Sequence, residues 1–287
     1  MSELTVRRHR TFPDTARRFL RNKAALIGLG IILIMLFCAL FPEWIAPYGY
    51  DDQDLSQLFI APCREHWFGT DNFGRDIFSR VVYGCRTSLL IGVCAVGIAC
   101  LIGVFIGSIA GYFAGRVDNV LMRLMDIMLA IPNILLAMSI VAALGTGTFN
   151  LILAIGIGSI PGYARVVRAS ILSVREQEYI EAARSIGAGH FRIIRKHILP
   201  NCMAPIIVQA TMSVATAILS TAGLSFIGLG ITPPTAEWGS MLASGRAYLR
   251  DYWFVVTFPG LAIMISVFAF NLFGDGLRDT LDPKLRS

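Results

Sequence analysis

The sequence predicts an all-α polytopic membrane protein with six transmembrane helices, and three observations lead there. Hydrophobic residues fill 55% of the 287 positions and charged residues only 15%, a mixture too apolar to bury in one soluble core. A mean hydropathy of +0.64 excludes a disordered scaffold, which needs low hydrophobicity and abundant charge. Six stretches without a charged side chain run over 24–41, 87–115, 127–144, 149–164, 202–230 and 252–274, and a spanning helix takes roughly 20 apolar residues. Six spans with modest loops leave no room among these residues for a separate catalytic domain.

Seven basic residues (Arg7, Arg8, Arg10, Arg17, Arg18, Arg21 and Lys23) precede the first stretch, as they would a secretory signal. Its 18 apolar residues exceed a signal core, and Phe41-Pro42-Glu43-Trp44 lacks a small-residue cleavage pattern, so it is expected to stay as an anchor. Upstream, Phe12, Ala16, Phe19 and Leu20 repeat at near-helical spacing while Arg17, Arg18 and Arg21 point elsewhere. That fits a helix lying on the inner leaflet or, equally, a basic tail that only sets topology.

In the second span Ala99, Gly103, Gly107 and Gly111 recur every fourth residue, which stacks small residues on one face and lets a neighbouring helix approach closely. Ala154, Gly158 and Gly162 repeat the idea in the fourth span. Gly145, Thr146, Gly147 and Thr148 alone separate spans three and four and read as a tight turn in a transmembrane hairpin. Pro132, Pro161, Pro205 and Pro259 place one breaker in each of spans three to six. Asp126 lies beside Arg123 and is expected to pair there. In span five, Gln209, Ser213, Thr216 and Ser220 line one polar face, which suits either helix packing or the border of a substrate path.

Charge sets the direction. With the N-terminus in the cytoplasm and the spans alternating, 19 of the 25 Lys and Arg residues fall inside and 6 outside. Trp44, Trp67, Trp238 and Trp253 then all lie outside or at the outer boundary, where indole rings favour headgroup depth. Only 3 of the cations are Lys and none form a dense run, so the net charge of +6 reflects membrane topology and not nucleic-acid binding. Six cysteines lack the spacing of a zinc or redox site; Cys63 and Cys85 are the two that could face an oxidising compartment and pair.

The longest inner segment, 165–200, reads as helix, glycine break, helix, stop. Helix formers fill 175–186, Gly187 suits a C-terminal cap, and Pro200 is expected to end the second helix. Ile180, Ala183 and Ile186 are assigned to one face, and Ala182 and Ala183 beside Glu181 would let that helix seat in a groove of another protein. A loop that only connects spans has the same spacing.

Here the sequence resembles the permease subunits of ATP-binding-cassette importers. Glu181-Ala182-Ala183, three residues, Gly187, and then Leu199-Pro200 match their cytoplasmic signature, with His197 in place of the usual aliphatic residue. His66-Trp67-Phe68-Gly69-Thr70-Asp71, Gly74-Arg75-Asp76-Ile77-Phe78-Ser79-Arg80, Leu224 to Gly230, Glu237-Trp238-Gly239, Asn271 to Asp279 and Leu281-Asp282-Pro283 are similar to the dipeptide, oligopeptide and nickel branch.

The resemblance divides the chain into a cytoplasmic tail (1–23), an anchor (24–45), an extracytoplasmic loop (46–86), a permease core (87–274) holding the coupling segment 165–200, and a second cytoplasmic tail (275–287). It implies a bacterial inner-membrane subunit that imports di- or oligopeptides. Its implied partners are a homologous permease, two ATPase subunits and an extracytoplasmic solute-binding protein. Glu181, Ala182, Ala183, Gly187, Leu199 and Pro200 would carry ATPase coupling, and Asp71, Arg75 and Asp76 would help dock the solute receptor, although the acids of that loop equally suit a solvated surface.

No Gly-rich stretch ends in Gly-Lys-Ser or Gly-Lys-Thr, so ATP and Mg are assigned to the ATPase subunits, and no catalytic, cofactor or metal residue is assigned here. An ion-coupled carrier predicts intramembrane charge and inverted repeats, neither of which is visible. Nickel complexes and glutathione are alternative cargoes on the same scaffold.

Overall fold

The computed structural model describes residues 18–281. Phe12, Ala16 and Arg17 of the proposed inner-leaflet helix, and Asp282-Pro283 of the tail motif, lie outside them. The helices are α1 (Lys23–Leu40), α2 (Pro42–Ile45), α3 (Ile77–Phe113), α4 (Gly115–Ala130), α5 (Asn133–Leu144), α6 (Thr148–Val174), α7 (Glu178–Ser185), α8 (His190–Ile193), a π-helical turn (Ile194–Ile198), α9 (Leu199–Phe226), α10 (Trp238–Gly245) and α11 (Phe254–Leu281). Among the described residues the one strand-like feature is an isolated bridge between Thr70 and Asp76. Five helical runs are long and apolar enough to cross a bilayer: α1, α3, α6, the continuous run His190–Phe226, and α11. A sixth crossing exists only if the bent pair α4–α5 is counted as one.

The third span expected over 127–144, with Pro132 as its breaker, corresponds to this pair. The chain bends by 87° between Ala130 and Asn133. Pro132 lacks an N–H and its ring bars the preceding residue from helical geometry, so Ile131 is extended at φ −93°, ψ 127°. The 12 residues of α5 rise only about 18 Å against a hydrocarbon core of roughly 30 Å. Pro161, Pro205 and Pro259 lie inside continuous helices, α6, α9 and α11.

The turn between α5 and α6 is as expected. Gly145 and Gly147 take φ +90° and +142°, values that glycine adopts without strain, and Asn150 Nδ2 donates to the carbonyls of Leu144 and Gly145. Beyond Ala164, where the fourth span was expected to end, α6 runs on to Val174. Arg168 there forms a two-pronged ion pair with Asp118 of α4, at 2.5 and 2.6 Å, and Arg165 pairs with Asp126 at 2.5 Å. Asp126 therefore pairs across helices and not with Arg123 on its own.

The centre of the bundle is the seam between α3 and α6. A Cβ placed on Gly103, Gly107 or Gly111 would run into Tyr163, Ala164, Val167 or Ile171 of α6, so the glycine stripe brings two backbones together. The second stripe holds only in part. Ala154 is fully buried and Gly158 sits against Asn133, but nothing lies within 4 Å of a Cβ at Gly162. Gly156 makes the close approach instead, where a Cβ would lie 3.1 Å from the carbonyl oxygen of Ala95.

The anchor helix α1 starts at Asn22, whose side chain caps the Ala25 N–H, and packs on α11 through Gly28, where a Cβ would lie 2.7 Å from the Ala269 oxygen. Just before it, Phe19 meets Phe273 edge-on at 5.6 Å. Cys85 is buried against Cys38 of α1, while Cys63 is exposed with its sulfur accepting from the His66 N–H. The envisaged Cys63–Cys85 pair is not formed.

Candidate coupling surface and outer loop

The elbow between α6 and α9 is built on its own small core. Ile180 and Ala183 of α7 pack inward with Tyr112, Val167, Ile171, Ile193, Ile198, Cys202 and Ile206, side chains drawn from three spans. Glu178 and Glu181 stand in the first turn and Arg184 in the last, each favourable to the helix dipole. Gly187 takes φ +82° and donates to the Arg184 oxygen, while Ala188 donates to the Ala183 oxygen. Together these make a Schellman stop, and Gly187 supplies its left-handed residue.

This geometry corrects the face assigned from sequence. Successive steps of three residues drift by about 60° around a helix, so Ile186 lies roughly 120° from Ile180. Ile180 is fully buried and Ile186 is 86% exposed. The outward surface consists of Glu181, Ala182, Ser185 and Ile186, extended by Phe191, which is 74% exposed. Of the two alanines, Ala182 is offered and Ala183 is consumed by the protein's own core.

Pro200 is exposed, Leu199 is half-buried, and Pro200 does not stop the helix. Leu199 N–H reaches back five residues to the Ile194 oxygen, and the widened turn accommodates the proline at the start of α9. His197 gives its carbonyl oxygen to Asn201 Nδ2 at 2.7 Å. A contact missed in the sequence joins Tyr112 at the end of α3 to His190 at the start of α8, hydroxyl to Nδ1, 2.8 Å. Tyr112 stands in an apolar run with no local signal of a partner 78 residues away.

Along α9 the polar stripe divides. Gln209 Nε2 donates to Ser213 Oγ at 3.2 Å, with Ser213 buried and Gln209 half-buried. Thr216 is exposed and donates to the Ser213 carbonyl oxygen, and Ser220 faces Asn133 and Ile134 of α5. Gln209 also borders a cavity of about 510 Å³ between α6, α9 and α11, with Val166, Pro205, Met212 and Arg278 on its walls.

At the opposite end of α3, Asp71, Arg75 and Asp76 are 6%, 2% and 2% exposed. Asp71 accepts from the N–H groups of Phe73 and Arg75 through Oδ1 and from the Arg75 guanidinium through Oδ2. Asp76 caps α3 at the Ser79 N–H and bonds His66 Nδ1 at 2.9 Å; His66 Nε2 meets Gln57 Oε1. Arg80 reaches the carbonyl oxygens of Tyr50 and Pro234. These residues hold the loop together from inside and are not presented at its surface.

Glu237-Trp238-Gly239 has a similar structural part. Both carboxylate oxygens of Glu237 accept N–H groups that open α10, from Gly239 and Ser240. Burial pushes the Glu237 carboxyl above its usual range, and those two N–H groups oppose the shift. Trp238 lies over Gly84 and donates to the Val81 oxygen at 3.0 Å, while Gly239 meets the backbone of Ala222.

Residues 103–287 match the family described as binding-protein-dependent transport system inner membrane component, and residues 12–62 match the N-terminal membrane domain of oligopeptide transport permease C. The chain is 49% identical over 275 residues to the di/tripeptide transport system permease protein DppC of Pseudomonas aeruginosa, covering 94% of this chain and 91% of that one. It is 47% identical to the dipeptide permease DppC of Alkalihalophilus pseudofirmus (96% and 90% covered) and 48% identical to the glutathione permease GsiD of Escherichia coli (94% and 89%). Among solved structures, the inward-facing MetNI methionine ABC transporter superposes with a TM-score of 0.59 at 20% identity, over 71% of this chain and 97% of that one, which supports the fold. With a profile spanning most of its length and relatives near one-half identity, this chain belongs to the family of inner-membrane components of binding-protein-dependent transport systems.

Proposed function

We propose that this permease subunit carries short peptides inward, delivered by an extracytoplasmic solute-binding protein and driven by two ATPase subunits that dock on the elbow. The observation that carries the reading is the elbow itself: an outward surface of Glu181, Ala182, Ile186 and Phe191 is fixed to a core shared by three spans. An exposed Ile and Phe on a rigid helical corner suit a groove in a partner protein. The excess of Lys and Arg on one side of the spans supports a cytoplasmic position for this elbow and both termini. ATP and Mg belong to the ATPase subunits, and their closure around nucleotide displaces the elbow and tilts the attached spans.

A homologous permease completes the membrane unit, and the cavity beside Gln209 borders the peptide path. Peptide cargo follows from the names of the relatives, since di/tripeptides and glutathione share the amide backbone.

Two measurements test this. A cysteine at Ala182 in the assembled importer is expected to cross-link to an ATPase subunit, and mass spectrometry of the purified solute receptor is expected to find short peptides. No cross-link at Ala182, or a nickel chelate as the sole cargo, would overturn the corresponding part.

A further inference from the structure

We propose that Tyr112 and His190 form a strut that carries elbow motion into the second span, making Tyr112 a positioning residue for transport. The inference rests on the reading of the elbow as the ATPase-docking element. Covalently, the elbow connects only α6 and the run that becomes α9. The long helix α3 is not in that path, yet its last turn is clasped from two sides.

Tyr112 is 6% exposed and lies in the elbow core beside Val167, Ile171 and Ile180. Its hydroxyl meets Nδ1 of His190, the first residue of α8, at 2.8 Å. The Arg184 guanidinium, in the last turn of α7, stands 5.4 Å from the centre of the Tyr112 ring, within the range of cation–π attraction. Phe113 adds a tilted contact with the His190 ring at 5.8 Å. The two arms of the elbow, one on each side of Gly187, therefore close on a single aromatic side chain.

Arg175 Nη1 also reaches the Gly111 oxygen at 3.2 Å, but it does so from the C-terminal cap of α6, which the glycine seam already joins to α3. Tyr112 makes the side-chain hydrogen bond between the elbow proper and α3. A push on α7 and α8 is thus delivered to α3, α6 and α9 together, and the three spans respond as one body. Without the hydroxyl bond, elbow displacement can be absorbed by sliding between His190 and the end of α3.

The test uses the complete importer in proteoliposomes with its ATPases and solute receptor, and compares cargo moved per ATP hydrolysed. Tyr112→Phe keeps the ring and the Arg184 contact and removes only the hydroxyl. It is expected to lower cargo per ATP by about two- to tenfold, the range one hydrogen bond of this kind supports, while the complex still assembles. His190→Leu should match it. His190→Asn, whose amide oxygen can stand where Nδ1 stood, should recover most of the loss.

A purely structural role would lower transport and ATP hydrolysis in proportion. An unchanged ratio in Tyr112→Phe, or equal damage from His190→Asn and His190→Leu, overturns the strut. The Ala182 cross-link, measured in the same preparations, separates the failures. If it is absent, the docking reading falls and takes the strut with it; if it is present with a normal ratio, the strut alone falls.

Discussion

Substituting Gly107 by alanine should separate the two central helices. A Cβ there would lie 2.5 Å from the Ala164 oxygen, 2.8 Å from Val167 Cβ and 3.1 Å from Arg168 N. Two of these three atoms are backbone, so no rotamer change relieves the clash. Ordinary contacts need about 3.5 Å, so α3 and α6 must part by roughly 1 Å, a gap that forfeits a quarter to a half of each dispersion contact along the seam. Overpacking of this kind costs about 1–3 kcal/mol.

Gly162→Ala is the matched control, with nothing within 4 Å of its new Cβ. Both variants gain the same helix propensity, up to about 1 kcal/mol, so their difference isolates the steric effect. For a chain of this class each kcal/mol corresponds to roughly 2–4 °C, which predicts a melting temperature about 2–12 °C lower for Gly107→Ala than for Gly162→Ala. Heating the detergent-purified chain and following the surviving monodisperse fraction measures it. Equal melting temperatures would refute the account of the seam.

Asp71→Ala strands Arg75 and Arg80 in a buried site, and breaking such a pair costs about 3–5 kcal/mol, so limited proteolysis should cut the loop at 46–76 far faster than in the parent. The carboxyl of Glu237, raised by burial, leaves the folded form with more bound protons than the unfolded one between the ordinary Glu value and its own, so stability falls as pH rises through that window. Glu237→Gln should remove this part of the pH dependence in melting curves, and an unaltered pH profile would contradict the assignment. Ile186→Asp, on a side chain that is 86% exposed, should shift stability by no more than about 0.5 kcal/mol yet lose co-purification of the ATPase subunits.

The apolar lengths, the glycine stripe of α3, the tight turn at Gly145–Gly147 and the cap at Gly187 were all legible, because each depends on residues close in sequence. The bend at Pro132 was visible as a proline, but its severity depends on how α4 is held by Asp118 and Asp126 against α6, and those partners are 50 and 39 residues away. Asp71, Arg75 and Asp76 differ in having partners within ten residues, yet their burial is not written in that spacing. Charged residues in a polar loop read as surface, and only the folding of 48–80 around α3 buries them. Ile186 leaves the buried face for a local reason: three-residue spacing drifts by about 60° per step, and two steps carry it past the helix end and out of the core.

The π-helical turn before α9 inserts one residue into an otherwise regular winding, which offsets everything upstream by about 100° around the helix axis. Deleting a single residue from 194–198 would keep His190–Phe226 helical but swing Phe191 and His190 to another side, away from Tyr112. A chain shortened by one amino acid, with every span intact and every signature residue present, would then hold His190 out of reach of Tyr112.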